Sequence, residues 1–225
     1  MRIETIWCSK GFMDNLSYIV IDDKTNTAAV IDPADASLII KRCKELNIEL
    51  QYILNTHHHY DHTDGNLELK AHFNAKVVAA NKDAHRIPGF DIGVDDGDVF
   101  ELGSLKADII DVSAHTQGHI LWYFKDEKAL FTGDTLFNLC VGGLFEGTPQ
   151  EMRKALDKIK KLPDDIMFYA GHEYTMHGAD DAVRINKNSK EIQEYLKNAQ
   201  SRLSQNLPVC PILLGLEKKV NPYLR

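Results

Sequence analysis

The segment Thr56-His57-His58-His59-Tyr60-Asp61-His62 places His57, His59, Asp61 and His62 within six consecutive residues. It follows directly on the apolar run Tyr52-Ile53-Leu54, which reads as a strand. Side chains of an extended segment alternate between faces, so His57 and His59 point the same way and His58 points away. A turn at Tyr60 then brings Asp61 and His62 to a second, nearby point. Imidazoles and a carboxylate together suit a borderline cation such as zinc, and accept iron or manganese as well. A solvated histidine-rich turn would explain two of these histidines better than it explains the whole set.

Further segments repeat one pattern, an apolar run that ends in glycine and a potential ligand. His115-Thr116-Gln117-Gly118-His119 follows the strand-like Leu105 to Val112. Phe131-Thr132-Gly133-Asp134-Thr135 follows Lys128-Ala129-Leu130, and Gly171-His172-Glu173-Tyr174 follows Ile166 to Ala170. Such spacing collects the ligand groups in loops at one end of a sheet, where rigid strands hold them. The chain has no Gly-x-Ser-x-Gly elbow, so a serine nucleophile is not indicated.

The ordered set THHHYDH, HTQGH, FTGDTLF, FEGT and GHEYT resembles the metallo-β-lactamase superfamily and, more narrowly, the glyoxalase II (hydroxyacylglutathione hydrolase) family. The likeness runs from the N-terminal strands to Asn221-Pro222-Tyr223-Leu224-Arg225. The first motif specifies only the superfamily; GDTLF, FEGT and GHEYT together carry the narrower match. The resemblance implies an α/β fold, an αββα sandwich over residues 1–175 followed by a short, mostly helical C-terminal region over 176–225. It assigns one divalent ion to His57, His59 and His115, a second to Asp61, His62 and His172, and places Asp134 between the two. In HTQGH the matching ligand is His115, which leaves His119 as a packed or supporting residue. His72, His85 and His177 match no ligand position. Asp32 is a candidate to steady a ligand imidazole through its second nitrogen, or is simply the Asp of an Asp-Pro turn.

The implied reaction is hydrolysis of a 2-hydroxyacyl thioester such as S-lactoylglutathione, as in methylglyoxal detoxification. Two divalent ions sharing a water lower its pKa towards neutrality and stabilise the developing oxyanion. Asp134 and Asp61 are the carboxylates at the reacting centre, with Asp61 placed to orient the nucleophile. Tyr174 matches a position that holds the thiol-bearing part of the substrate. Gly143 and Phe145 stand where the best-known family members carry Lys and Tyr, and a basic C-terminal stretch of longer members is not seen here. Each charge-assisted contact of that kind is worth roughly 1.5–3 kcal/mol, so the thiol carrier is left open between glutathione and another thiol. Alternatives on the same scaffold are a mononuclear-iron, persulfide dioxygenase-like oxidoreductase and another hydrolase. Asp134 and the Glu-Tyr pair after His172 favour the dinuclear hydrolase.

The elements that must position these residues are legible around them. Arg2–Trp7, Ser17–Ile21 and Ala28–Ile31 read as strands, with a turn over Asp22–Asn26. Ala36–Leu46 carries apolar residues at helical spacing, Ile48–Asn55 is strand-like and Asp64–Phe73 is a short helix. Strands dominate from Lys76 to Phe131, Pro149 opens a helix running to Lys161, and residues 180–203 read as one helix. The balance of 26 Lys+Arg against 33 Asp+Glu leaves a formal charge of −7, which argues against nucleic acid as a partner. Cys8, Cys43, Cys140 and Cys210 lack metal or redox spacing and read as free thiols of a reducing compartment. No signal peptide or apolar membrane span is visible, so the expectation is a cytoplasmic enzyme acting on a small thioester. The oligomeric state is not encoded in any motif.

Overall fold

The computed structural model describes residues 1–185 and 189–225. The first half contains β1 (Arg2–Trp7), β2 (Leu16–Asp22), β3 (Thr27–Ile31), α1 (Ala36–Leu46), β4 (Leu50–Leu54), α2 (Tyr60–Thr63), α3 (Asn66–Phe73), β5 (Lys76–Ala80) and β6 (Phe90–Val94). The second contains β7 (Val99–Leu102), β8 (Leu105–Asp111), β9 (Ile120–Phe124), β10 (Ala129–Gly133), β11 (Leu136–Phe137), β12 (Cys140–Val141), α4 (Pro149–Lys160) and β13 (Met167–Ala170). The chain continues through α5 (Thr175–Ile185), α6 (Lys190–Ser204), β14 (Ile212–Leu213) and α7 (Leu214–Val220). One sheet runs β1 to β6 in sequence order; the other has the order β14-β13-β10-β9-β8-β7.

Strands β2 and β3 of the first sheet are apolar on both faces because both faces are covered. In β2, Leu16, Tyr18 and Val20 join the core between the sheets, while Ile19 and Ile21 join a second cluster with Ile39 and Cys43 of α1 and Leu69 of α3. Alternate residues of one strand therefore serve the sheet-on-sheet and the sheet-on-helix interfaces. Tyr18 also donates from its hydroxyl to the Ala170 carbonyl of β13 at 2.6 Å, tying the sheets together beneath the ligand loops. The αββα layering follows from this division. α1 begins where Asp35 accepts from Leu38 N, and α4 where Thr148 and Glu151 form a capping box ahead of Pro149.

Residues 180–203 do not form the single helix that periodicity suggests. Ser189 has extended backbone and its side chain accepts from Ile192 N, so a new helix starts after it; residues 186–188 lie outside the described residues. Two-residue strands are also invisible to periodicity. β14 adds to the edge of the second sheet, pairing Leu213 with Met167 and Ile212 with Phe168. Among the described residues no helix is long and apolar enough to cross a membrane, and the four cysteines are free thiols.

Glu217 of α7 is fully buried and accepts from Leu139 N, Tyr195 OH and Asn221 Nδ2. Burial outweighs these neutral donors and pushes its carboxyl up to about 7. The folded chain therefore holds this proton more tightly than the unfolded one, whose value is about 4.3. Its contribution is full below pH ~4.3 and is lost as pH rises through about 7. Glu217→Gln is expected to gain on the parent between pH 5 and 8, by up to about 3 kcal/mol. Urea midpoints measured across that range check this; a difference that stays flat refutes it.

Candidate metal centre

The ligand-type residues converge above the strand ends. Donor atoms of His57, His59, His115 and Asp134 lie within 4.8 Å of one another, and so do those of Asp61, His62 and His172. His59 Nδ1 is 3.0 Å from His115 Nε2, and His62 Nε2 is 3.1 Å from His172 Nε2. The Asp134 carboxylate faces both groups, 3.5 Å from His115 Nε2, 3.3 Å from His172 Nε2 and 3.3 Å from His62 Nε2. Asp61 Oδ2 is 3.3 Å from His172 Nε2. Such proximity needs Gly171, since a Cβ there would stand 2.4 Å from Asp134 Oδ1.

The imidazoles are oriented from behind. His115 Nδ1 donates to the Gly143 carbonyl at 2.6 Å, and His172 Nδ1 to the Met13 carbonyl at 2.7 Å. His62 Nδ1 lies 3.2 Å from Asp32 Oδ2, and the same carboxylate accepts from Thr56 N and Thr56 Oγ1. An Nδ1 turned outwards to such a partner leaves each Nε2 facing inward, the usual arrangement of metal-binding histidines. Asp32 thus supports the site from one shell out.

Electrostatics divide the cluster. Burial, with neighbouring imidazoles, lowers His57 well below the usual histidine value and His59 to about 4. Burial also lowers His115, against the opposing Asp134 charge. These rings are neutral, with free lone pairs, at neutral pH. Burial acts the same way on His62 and His172, but the Asp134 carboxylate outweighs it, raising His62 well above the usual value and His172 to about 9. Against its own burial, Asp134 is held well below the carboxylate range by His172 and His62. A cation taken up there displaces those protons.

His57 Nε2 and Asp134 Oδ1 are buried and, among the described residues, have no hydrogen-bond partner. Leaving a buried polar atom unpaired costs ~1–3 kcal/mol, and a cation between them satisfies both. The donor set and these orphaned atoms are compatible with a dinuclear divalent metal site.

Other expected residues take distinct places. His119 Nε2 accepts from Asp134 N at 3.0 Å while its ring stacks on His57, so it props the cluster without entering it. His58 turns away, its Nδ1 3.2 Å from Asp83 Oδ2. His72, His85 and His177 are exposed and apart from it. A cavity of about 370 Å³ opens over the cluster, lined by Met13, Tyr60, Phe137, Gly143, Phe145 and Tyr174 among others. Phe145 stands edge-on to His59 and His115, with centroids 5.0 and 5.1 Å away, and Tyr174 stacks on His172 at 4.5 Å. Burial and the Asp134 and Asp61 charges push the Tyr174 phenol up to about 12, so it remains a donor. Among the described residues no Lys or Arg lines this cavity.

Asn15 was not legible as a site residue. Its Nδ2 donates to Asp61 Oδ2 at 2.9 Å and to the Asp61 carbonyl at 3.1 Å. The contact spans 46 positions, and no local motif marks it. Met13 orients His172 through its carbonyl, which side-chain patterns do not reveal.

A family model described as the metallo-beta-lactamase superfamily matches residues 11–172, and one described as the hydroxyacylglutathione hydrolase C-terminus matches residues 173–225. A curated hydroxyacylglutathione hydrolase of Pelagibacter ubique (strain HTCC1062) is 42% identical over 225 residues, covering 100% of this chain and 93% of that protein. Another, from Methylococcus capsulatus (strain ATCC 33009 / NCIMB 11132 / Bath), is 39% identical, covering 94% of this chain and 83% of that protein. Among solved structures, the BLEG-1 B3 metallo-beta-lactamase has a TM-score of 0.75 at 20% identity, covering 99% of each chain. ETHE1 from Myxococcus xanthus has a TM-score of 0.69 at 23% identity, covering 99% of this chain and 97% of that one. These structural likenesses bear on the fold alone. Motif order, the convergent His and Asp side chains and full-length similarity agree: the chain belongs to the metallo-beta-lactamase superfamily and, within it, to the hydroxyacylglutathione hydrolases.

Proposed function

We propose that this chain is a metal-dependent thioester hydrolase that converts 2-hydroxyacylglutathione, such as S-lactoylglutathione, to the 2-hydroxy acid and the free thiol. The observation that carries this reading is the Asp134 carboxylate, which faces both histidine groups at the floor of the cavity. The names of the full-length relatives support it. His57, His59 and His115 would hold one ion and Asp61, His62 and His172 the other, with the Asp134 carboxylate placed to serve both. Zinc is the first expectation, and iron or manganese takes the same donors. When bound, the ions supply Lewis acidity and a strong nucleophile from water at neutral pH.

The chain's own residues do the rest. Asp61, fixed by Asn15, orients the attacking water through its carboxylate. Tyr174 beside His172 and Phe145 beside His59 and His115 line the cavity with aromatic surface for the substrate, and Gly143 leaves the space beside Phe145 open. The departing thiolate is a stable anion and needs little acid assistance. Residues 1–175 form the catalytic unit in this reading, with 176–225 as a short, mostly helical region. Four free thiols suit the cytoplasm, where the reaction serves methylglyoxal detoxification.

Metal-reconstituted protein is expected to consume S-lactoylglutathione at about 1–10³ s⁻¹, followed as loss of thioester absorbance. Two metals bound with turnover only on other thiol esters would shift the carrier away from glutathione. One iron per chain, with oxygen uptake on a glutathione persulfide, would overturn the hydrolase reading.

A further inference from the structure

Beside the ligand loops, His58, Asp83, Arg86 and Glu146 close an ionic ring that the reaction itself does not use. Arg86 donates to Asp83 Oδ1 through Nε at 3.0 Å and through Nη2 at 2.5 Å, and to Glu146 Oε1 through Nη1. Asp83 is fully buried; its Oδ2 lies 3.2 Å from His58 Nδ1, and His58 Nε2 is 3.6 Å from Glu146 Oε1. Gly118 lets the HTQGH loop lie directly on Asp83, because a Cβ there would fall 2.3 Å from the carboxyl carbon.

Each end of this ring is coupled to a ligand. His58 lies between His57 and His59 in the chain, so fixing it fixes the strand of backbone that aims both. Glu146 Oε2 accepts from Gln117 N at 2.7 Å, and Phe145 N and Glu146 N donate to the His115 carbonyl at 3.2 and 3.3 Å. The same loop supplies the Gly143 carbonyl that orients His115. An isolated ion pair near the surface contributes little to stability, but this one spans two loops that must meet. A planar guanidinium can grip both carboxylates at once, whereas an ammonium on a flexible stem lacks that fork.

We propose that Arg86 is a positioning residue for the His57, His59 and His115 group: through Asp83 and Glu146 it holds the two loops in register, so that His59 and His115 converge on one ion. This rests on reading that group as an ion site.

The test is zinc titration of metal-free protein against a chromophoric chelator, with thermal melts to confirm folding. Arg86→Ala is expected to bind one zinc as the parent does and the other about 10–100-fold more weakly. Arg86→Lys should recover little of that loss, and Glu146→Ala should act in the same direction. Lys82→Ala, which breaks the neighbouring contacts with Asp111 and Ser113, should keep both affinities. On S-lactoylglutathione, kcat should fall in the Arg86→Ala protein while KM is retained. Parental affinity for two zinc ions in both Arg86→Ala and Glu146→Ala overturns the proposal. If Arg86→Ala does not fold, Glu146→Ala, at an exposed position, decides alone. The titration uses no substrate, so an inactive parent would sink the hydrolase reading while leaving this inference to stand or fall on zinc affinity.

Discussion

Asp134→Ala is expected to weaken both metal ions at once and to lower thioester hydrolysis by roughly 10³-fold or more, the scale of losing a charge-stabilising group at a reacting centre. The reason is geometric: its two oxygens approach His62 on one side, and His115 and His172 on the other. Removing it leaves His62 and His172 facing each other at 3.1 Å without the carboxylate that compensates them. His59→Ala makes the instructive comparison, because it thins only one group. Metal analysis after dialysis should find one ion retained in His59→Ala and less than one in Asp134→Ala. Two tightly held ions in the Asp134 variant would remove the joining role from this residue.

Asp32→Ala should be the most damaging change among residues that touch no substrate. The Asp32 side chain accepts from Thr56 N at 2.7 Å, from Thr56 Oγ1 at 2.6 Å and from His62 Nδ1 at 3.2 Å, all of them buried. Stripping these donors of their acceptor is expected to cost on the order of 3–5 kcal/mol, as for other broken buried networks. Asp32 also sits at φ +49°, where alanine is disfavoured and aspartate is tolerated. The imidazole of His62 then loses its orientation, so metal affinity should fall about 10–100-fold. Urea unfolding of the metal-free protein separates the first effect from the second. Stability within ~0.5 kcal/mol of the parent would mean that water replaces the carboxylate without loss.

Much of the fold was legible because its central strands are buried on both faces. β2, β3 and β4 stand out as apolar runs, and α1 shows helical spacing over the same residues, Ala36–Leu46, that the structure folds. The Tyr60 turn proves to be a helical turn, α2, whose first residues swing Asp61 and His62 towards His172. Local patterns could anticipate that His57 and His59 share a face, since alternation needs only neighbours in sequence. They could not anticipate Asn15 under Asp61, nor the Met13 carbonyl behind His172 across 159 positions. Arg86 was silent for the same reason: its meaning lies in Glu146, 60 residues on. The break at Ser189 and the two-residue strands β11, β12 and β14 fall below the length at which periodicity carries information.

The pairing of β14 with β13 bears on when the centre is assembled. β13 leads into His172, and its outer edge is covered only when Ile212 and Leu213 arrive near the end of the chain. His57, His59, His115 and Asp134 are all synthesised earlier, on loops whose strands already have partners among β1 to β10. Chains emerge from the ribosome N-terminus first, so on the proposed assignment a nascent chain offers one ion its full set of histidines. The other ion finds Asp61 and His62 waiting without His172. On that assignment the second group is complete only once His172 is made, and the outer edge of the strand leading into it is covered last.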